Sequence, residues 1–328
     1  MTVLVVTSRD DVTADLVVVN LTKRRLPVHR IDPADLPDKL RVTGAVEDGL
    51  ARILIEDEQR STSTMDIKAI YWRKPATPLL KDAGSHLTPA VRAWIADESK
   101  ASLFGILRTL NVVWVNHPDK NAAAHHKAPQ LLAAHKHGFD VPETIFTNVA
   151  ARAETFVEKH RQAIVKTLTQ RDMEFIPARL VEPGEDLDGV GAAMHMFQRY
   201  IPKVADVRVT VVGERLFAAQ ITGGGVDWRS AGENATYEPV SVPRGVVQPI
   251  NRFMTHYGLA YGAFDFAVSK SGPWFFLECN PNGQFGFVEA KTGMAISQAI
   301  ADYLVQMPES LMHREGLSYG HQQSSVPR

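Results

Sequence analysis

The feature that constrains this chain most is a hairpin near its end, "GAFDFAVSKSGPWFFLECN", residues 262–280. Its large apolar residues demand burial, and Ser271-Gly272 is a turn signal between two strand-like halves. Yet it carries Asp265, Glu278 and Asn280. Strand side chains alternate between faces, so Glu278 and Asn280 share one face and Cys279 points to the other. Folding the hairpin about Ser271-Gly272 sets Lys270 opposite Pro273, Ser269 opposite Trp274 and, further out, Asp265 opposite Glu278. Opposed residues hold their β-carbons roughly 4.5–5.5 Å apart, and two bare carboxylates that close repel each other. Something positive should lie between them. An Asp, a Glu and an Asn oxygen on one face are hard ligands, suited to Mg²⁺ with its waters and a substrate phosphate. The competing reading is two rim carboxylates, each paired with its own lysine or arginine. It suits either residue alone better than the three in register. Cys279 faces away from the ligands, lacks the neighbours of a nucleophile, and reads as a small core residue.

At 328 residues the chain is expected to form two or three lobes. Lys plus Arg number 36 against 37 Asp plus Glu, so there is no basic footprint for nucleic acid. "TVLVVTSRDD" after Met1 reads as neither a signal peptide nor an anchor, and no apolar run reaches spanning length, so no membrane is expected. A single cysteine allows no internal disulfide, which fits a reducing cytoplasm.

"TVLVVT", "DVTADLVVVNLTKRRL" and "PVHRID" read as a βαβ opening without the glycines of a dinucleotide site. Further strands are expected at "ARILIED", "IKAIYWRKP" and "NVVWVN", with a helix over "TPAVRAWIADESKASLFGILRTL". "NAAAHHKAPQLLAAHKHG" reads as one helix ended by Gly138, followed by strand "VPETIFTN", helix "AARAETFVEKHRQ" and strand "AIVKTLT". The region 171–191 is mixed, with "EPGEDLDG" as a loop. "VRVTVVGERLFAAQI" is a hairpin turning at Gly213-Glu214, "GGGVDWRSAGENA" a glycine-rich loop, and "RGVVQPINRFMTHYG" a helix closed by Gly258. The last helix sets Ile296, Ala299, Ile300, Tyr303 and Leu304 on one core-facing side, ahead of a polar tail from Pro308. His125, His126, His135 and His137 lack one-face spacing between the two pairs and read as solvated.

An Asp on one strand and Glu-x-Asn on the next resembles the metal signature of the ATP-grasp ligases. "YWRKP", "WVNHP", "KAPQLLAAHKHGFDVPETIFTN", "FQRYIPKVADVRVTVVGERLFAAQI", "DWR", "YGAFDFAV" and "FLECNPNGQ" occur in that order. Together they resemble the ATP-grasp ribosomal peptide maturases, the microviridin-type or graspetide synthetases, up to about residue 307. "YWRKP" and "NPNGQ" discriminate most. Cys279, and "FGF" after Gln284, depart from the family's usual aliphatic residue and tryptophan. The resemblance implies an α/β protein of α+β lobes: an ATP-grasp fold behind an N-terminal pre-ATP-grasp βαβ domain. Its domains would be 1–118, a central lobe 119–197, a C-terminal lobe 198–307 with the metal site, and the tail 308–328.

Residue by residue, the resemblance implies Mg²⁺ on Asp265, Glu278 and Asn280, with ATP phosphates met by Lys127 and Lys166. A lysine amid apolar strand neighbours, as at Lys166, is costly unless its charge is used. Gln198, Tyr200 and Ile201 fall at the interlobe hinge, where backbone groups read adenine. Asp206 falls on the ribose or substrate side, and Arg208 offers a cation to phosphates or an acyl phosphate; a surface Asp–Arg pair is the plainer alternative. Asp227 and Arg229 sit in the glycine-rich loop, where Arg229 matches phosphate oxygens. Trp228 between them reads as a loop anchor. The implied activity is ADP-forming ligation that turns Asp or Glu side chains of a precursor peptide, leader plus core, into macrocyclic esters or amides, in a homodimer. The alternatives are a ligase adding a free amino acid to a peptide or protein terminus, and a nucleotide-binding protein without turnover.

Overall fold

The computed structural model describes residues 2–78, 87–169 and 176–306. The polar tail from Pro308 therefore lies outside the described residues. The chain divides into two compact units, residues 1–115 with 298–328, and residues 116–297.

The first unit opens with the expected βαβ: β1 (Thr2–Val6), α1 (Val12–Lys23) and β2 (Val28–Ile31). Asp11 caps α1 by accepting from the Thr13 and Ala14 N–H groups. Then come β3 (Arg41–Glu47), β4 (Leu50–Glu56), β5 (Ser61–Ser63), β6 (Ile67–Trp72), α2 (Pro89–Leu107) and β7 (Val113–Val115). β1, β2, β6 and β7 form a parallel sheet in the order β2-β1-β6-β7. Its central strands, β1 and most of β6, are buried apolar runs, as parallel strands covered on both faces must be. β3, β4 and β5 form a separate antiparallel meander, of which only β4 was legible in the sequence.

The second unit begins with α3 (Pro118–His125) and α4 (Lys127–His137). These are two helices where one was expected. His126 is extended, with φ −78° and ψ 122°. The reason is Pro129: its ring would clash with the carbonyl four residues back and it has no N–H to donate, so the helix restarts instead of continuing. Gly138 closes α4 in the left-handed conformation, as expected. β8 (Thr144–Thr147), α5 (Ala150–His160), β9 (Ala163–Lys166), β10 (Arg179–Val181) and β11 (His195–Arg199) follow, building a sheet in the order β10-β9-β11-β8. Ala153 and Val157 of α5 pack with Ala163, Val181 and Phe197 of that sheet.

β12 (Lys203–Val212), β13 (Arg215–Thr222), β14 (Thr236–Pro239), α6 (Arg244–Tyr257), β15 (Tyr261–Ser269) and β16 (Trp274–Asn280) make the next lobe, followed by α7 (Gly286–Thr292) and α8 (Ile296–Leu304). The five strands form an antiparallel sheet in the order β14-β13-β12-β15-β16. The hairpin turn at Gly213-Glu214 and the close of α6 at Gly258 are as expected. One face of this sheet presents Val207, Val209, Phe264, Phe266, Phe276 and Cys279 to a core shared with α3, α4 and α6. The other face carries the polar residues.

Candidate active site

The polar face is organised by strand register. Arg208 of β12 lies opposite Asp265 of β15, and Asp265 lies opposite Glu278 of β16. Three charged side chains thus stand in one row across three strands. The Asp265–Glu278 pairing is the expected one, although the hairpin reaches it differently. Near the turn the partners are Val268 and Trp274, one residue out of the expected register, and Leu277 then bulges to restore it. A bulge inserts one unpaired residue and turns the strand. Phe276 and Cys279 are therefore both in the core, 0% and 2% exposed, while Glu278 between them faces the site.

A second bulge lies at Val204, between Lys203 and Ala205 of β12. Residues three apart on a regular strand face opposite ways; here Lys203 and Asp206 meet, with Nζ–Oδ2 at 2.6 Å. Lys203 also donates to the Val226 carbonyl at 2.9 Å, tying the glycine-rich loop to β12. Asp206 is pushed up to about 6 by burial, which the bonded Lys203 only partly offsets.

The charge needed between the two carboxylates is the guanidinium of Arg229. Its Nη2 donates to Asp265 Oδ2 and to Glu278 Oε1, both at 2.8 Å. Burial opposes that charge, but Asp265, Glu278 and Asp227 outweigh it and raise the Arg229 pKa. Arg208 grips Asp265 from the other side, Nε to Oδ1 at 2.5 Å and Nη2 to Oδ2 at 3.0 Å. Lys127 Nζ lies 2.6 Å from Glu278 Oε2. Burial would lift the Glu278 pKa, yet Lys127 and Arg229 hold it well below the usual carboxylate range. Lys166, at the end of β9, donates to Gln198 Oε1 at 3.1 Å, and burial pushes its pKa down to about 8.

Arg229 is delivered by the loop. Asp227 caps the 3₁₀ helix Trp228–Asn234 by accepting from the Arg229 N–H, and its other oxygen accepts from the Ala178 N–H at 3.2 Å. Gly224 allows the tight return: a β-carbon there would lie 2.2 Å from the Trp228 Cα. Trp228 is an anchor, its ring 5.5 Å from Phe287 of α7, and it also faces two cations. The Arg208 and Arg229 guanidiniums lie 5.4 and 4.8 Å from its ring centroid. Phe287 thus supplies an aromatic wall within "FGF".

An open cleft of about 560 Å³, part of it open to solvent, has Lys127, Lys166, Asp206, Asp227, Arg229, Asp265 and Glu278 in its walls. Gln198, Tyr200, Ile201, Arg208 and Asn280 do not line it, although Arg208 is ion-paired to Asp265, which does. Gln198 is in register with Thr144 and Ile164, so its backbone belongs to the ladder and its side chain is what reaches Lys166. The Tyr200 N–H donates to the Gln162 carbonyl, and Ile201 is buried. Asn280 is exposed on the same strand face as Glu278, its Oδ1 accepting from the Asn282 N–H at 3.0 Å. Among the described residues no cluster of three or more His, Cys, Asp or Glu is placed to hold a metal, His125, His126, His135 and His137 included. The donor set still fits a hard divalent cation that keeps waters and phosphate as ligands: two carboxylates from adjacent strands with an amide two residues along. Three cations, Lys127, Lys166 and Arg229, line the cleft with four carboxylates, Asp206, Asp227, Asp265 and Glu278, and Lys203 and Arg208, ion-paired to Asp206 and Asp265 outside the lining, bring the cations to five. The surplus is positive, which suits a polyphosphate.

Sequence reasoning missed Lys203, Gln130 and Asn116. Asn116 is buried and bonds Asn121, the Tyr261 carbonyl and N–H, the Ala260 N–H and the Pro281 carbonyl, fixing the "NPNGQ" loop to α3 and β15. Its place in "WVNHP" was the available signal.

A search of solved structures finds the same arrangement of elements along the chain. A RiPP-associated ATP-grasp ligase from Chryseobacterium gregarium, solved with ADP and a leader and core peptide, is 26% identical with a TM-score of 0.84, covering 92% of this chain and 96% of its own. The fold is ATP-grasp. The macrocyclase MdnC of Microcystis aeruginosa MRC, bound to precursor peptide MdnA, is 28% identical with a TM-score of 0.83, covering 93% of this chain and 100% of its own. The ATP-grasp ligase PsnB, solved with a minimal precursor, Mg and ADP, shares the fold at 21% identity and a TM-score of 0.75, covering 92% of this chain and 96% of its own. Residues 2–122 match the family model of the MvdD pre-ATP grasp domain. No curated protein matches the chain. The resemblance of this ATP-grasp chain to the ribosomal peptide maturases, expected from its motifs, therefore holds along nearly its whole length.

Proposed function

We propose that this protein is an ATP- and Mg²⁺-dependent ligase that activates side-chain carboxylates of a ribosomal precursor peptide and closes macrocycles on them. The observation that carries this reading is end-to-end similarity to a ligase solved with ADP, leader and core, on a chain that keeps a charged row at Arg208, Asp265 and Glu278.

Asp265, Glu278 and Asn280 would hold Mg²⁺, which when bound neutralises phosphate oxygens. Lys127, Lys166 and Arg208 offset the remaining phosphate charge, and Asp206 borders the nucleotide. Gln198, Tyr200 and Ile201 flank the adenine hinge. Arg229, held in its loop by Asp227, exchanges its carboxylate partners for the reacting end of the substrates. A peptide carboxylate oxygen attacks the γ-phosphorus and the bond to ADP breaks. A Thr or Ser hydroxyl, or a Lys amine, then attacks the acyl carbon, loses its proton and expels phosphate. Positioning and charge stabilisation supply most of the rate in such a reaction. Burial, then the Glu278 and Asp265 carboxylates, push the Cys279 thiol pKa well up, so it is no nucleophile. The domain division at 118, 197 and 307, a homodimer and a cytoplasmic location complete the reading.

The test is mass spectrometry with ATP, Mg²⁺ and the precursor peptide encoded beside this protein. Loss of one water per crosslink is expected, and the masses of fragments identify ester or amide. Gain of an amino acid would replace this reading with the free-amino-acid ligase, and an unchanged mass with a binding protein.

A further inference from the structure

We infer that Gln130 is a positioning residue for the metal-binding strand: its amide fixes the backbone between Glu278 and Asn280 and so sets where both side chains stand. The inference rests on the assignment of those two residues to Mg²⁺.

β16 is the last strand of its sheet. An edge strand leaves backbone N–H and C=O groups without a neighbouring strand. Here other groups take them. The Phe276 N–H donates to the Asp140 carbonyl at 2.8 Å. At Cys279 a single side chain replaces the missing strand. Gln130 Oε1 accepts from the Cys279 N–H at 2.9 Å, and Gln130 Nε2 donates to the Cys279 carbonyl at 2.7 Å. That two-way exchange is the pattern of a ladder pair. Nε2 also donates to the Ala124 carbonyl near the end of α3. Gln130 is 3% exposed, and a buried amide is costly unless bonded in this way.

Lys127 and Gln130 are three residues apart on α4 and so share a face. Lys127 takes the Glu278 carboxylate while Gln130 takes the next peptide. One helical turn thus holds the side chain of Glu278 and the backbone leading to Asn280. The restart of the helix at His126 puts that turn in reach. Ligand sites need their groups held within about 0.5 Å, and a strand edge free to shift does not meet that requirement.

The test compares wild type with Gln130→Met, which keeps the length of the side chain and removes both hydrogen bonds to Cys279 together with the one to the Ala124 carbonyl. In the ligand-free protein, amide exchange at Cys279 is expected to speed up about 100-fold, while Phe276, bonded to Asp140, stays within about threefold. In calorimetric titrations of ADP, the Mg²⁺ concentration for half-maximal binding is expected to rise about tenfold, the usual loss when a group supporting a metal ligand is removed. ADP affinity at saturating Mg²⁺ is expected to stay close to wild type. Unchanged exchange at Cys279 would overturn the inference. So would faster exchange with a wild-type Mg²⁺ dependence, because the amide would then be structural only. If Gln130→Met does not fold, Gln130→Asn keeps the amide but shortens its reach, and the same outcomes decide. If wild type binds no ADP with Mg²⁺, the functional reading falls, while the exchange comparison still shows whether Gln130 holds the strand.

Discussion

Lys166 carries its charge against its surroundings. Burial lowers its pKa from 10.5 to about 8; Glu278 works the other way, and Lys127 and Arg229 lower it further. Below pH 8 the buried charge disfavours folding, and that cost fades as pH rises toward the unfolded value. If Lys166 meets the phosphates as proposed, a polyphosphate at Nζ would restore the charged form, and binding would take up a proton above about pH 8. ADP affinity is expected to be full below that pH and to fall as pH rises through it. Calorimetry in buffers of different ionisation enthalpy reads the proton directly. Lys166→Arg stays charged throughout and should flatten the dependence; a wild-type affinity unchanged between about pH 7 and pH 9.5 would contradict this account. Arg229 makes a second prediction. It bonds the two carboxylates proposed to hold the divalent cation. Arg229→Met should therefore bind Mn²⁺ without nucleotide more tightly than wild type. Its turnover should fall roughly 10²–10³-fold, as when one charge-stabilising donor is lost. At this scale the sequence showed that a cation was needed between Asp265 and Glu278, but not which one, because Arg229 comes from a loop 36 residues before Asp265. Gln130 was hidden for the same reason: its partner is 149 residues away.

At the scale of elements, two bulges decide which side chains face the cleft. Strict alternation from Phe276 would put it on the Glu278 face; Leu277 breaks the alternation and lets both Phe276 and Cys279 stay in the core. The register inferred from Ser271-Gly272 was right at Asp265 and wrong at Trp274, since a turn dipeptide does not reveal a bulge three residues past Trp274. Val204 hid Lys203 in the same manner, placing it beside Asp206 where alternation would have separated them. Deleting Leu277 tests this. Either Glu278 is driven into an aromatic core or Phe276 is driven out of it. The expected loss is about 3 kcal/mol or more by denaturant titration, with Mg²⁺-dependent ADP binding gone. A deletion variant of wild-type stability that still bound ADP would show that the bulge does not set the face. Pro129 acts similarly on α4: the helix content was legible, whereas the restart that brings Lys127 and Gln130 to β16 needed the clash with the residue four back to be noticed.

At the scale of the whole molecule, every candidate site residue belongs to the unit of residues 116–297. The family-model match falls almost entirely on the other unit. The βαβ opening and the patterned C-terminal hairpins were legible because their hydrophobic periods are strong. Strands β3 and β5 of the meander were not, because they are short or largely exposed and show no burial pattern. This division predicts where ligand protection falls. A ligand that binds only the folded state stabilises by about 2.7 kcal/mol at a hundred times its dissociation constant. That stabilisation reaches amides whose opening disrupts the site. With ADP and Mg²⁺ at that excess, hydrogen exchange should slow at the first turn of α4, at residues 223–230, and along β15 and β16. Residues 2–72 of the first unit should change little. Protection confined to the first unit would remove Asp265 and Glu278 from the nucleotide site, whatever their register. Protection at α4 and β16 that needs Mg²⁺, and is lost in Glu278→Gln, would tie the charged row to the metal, because that substitution removes one carboxylate charge and little volume.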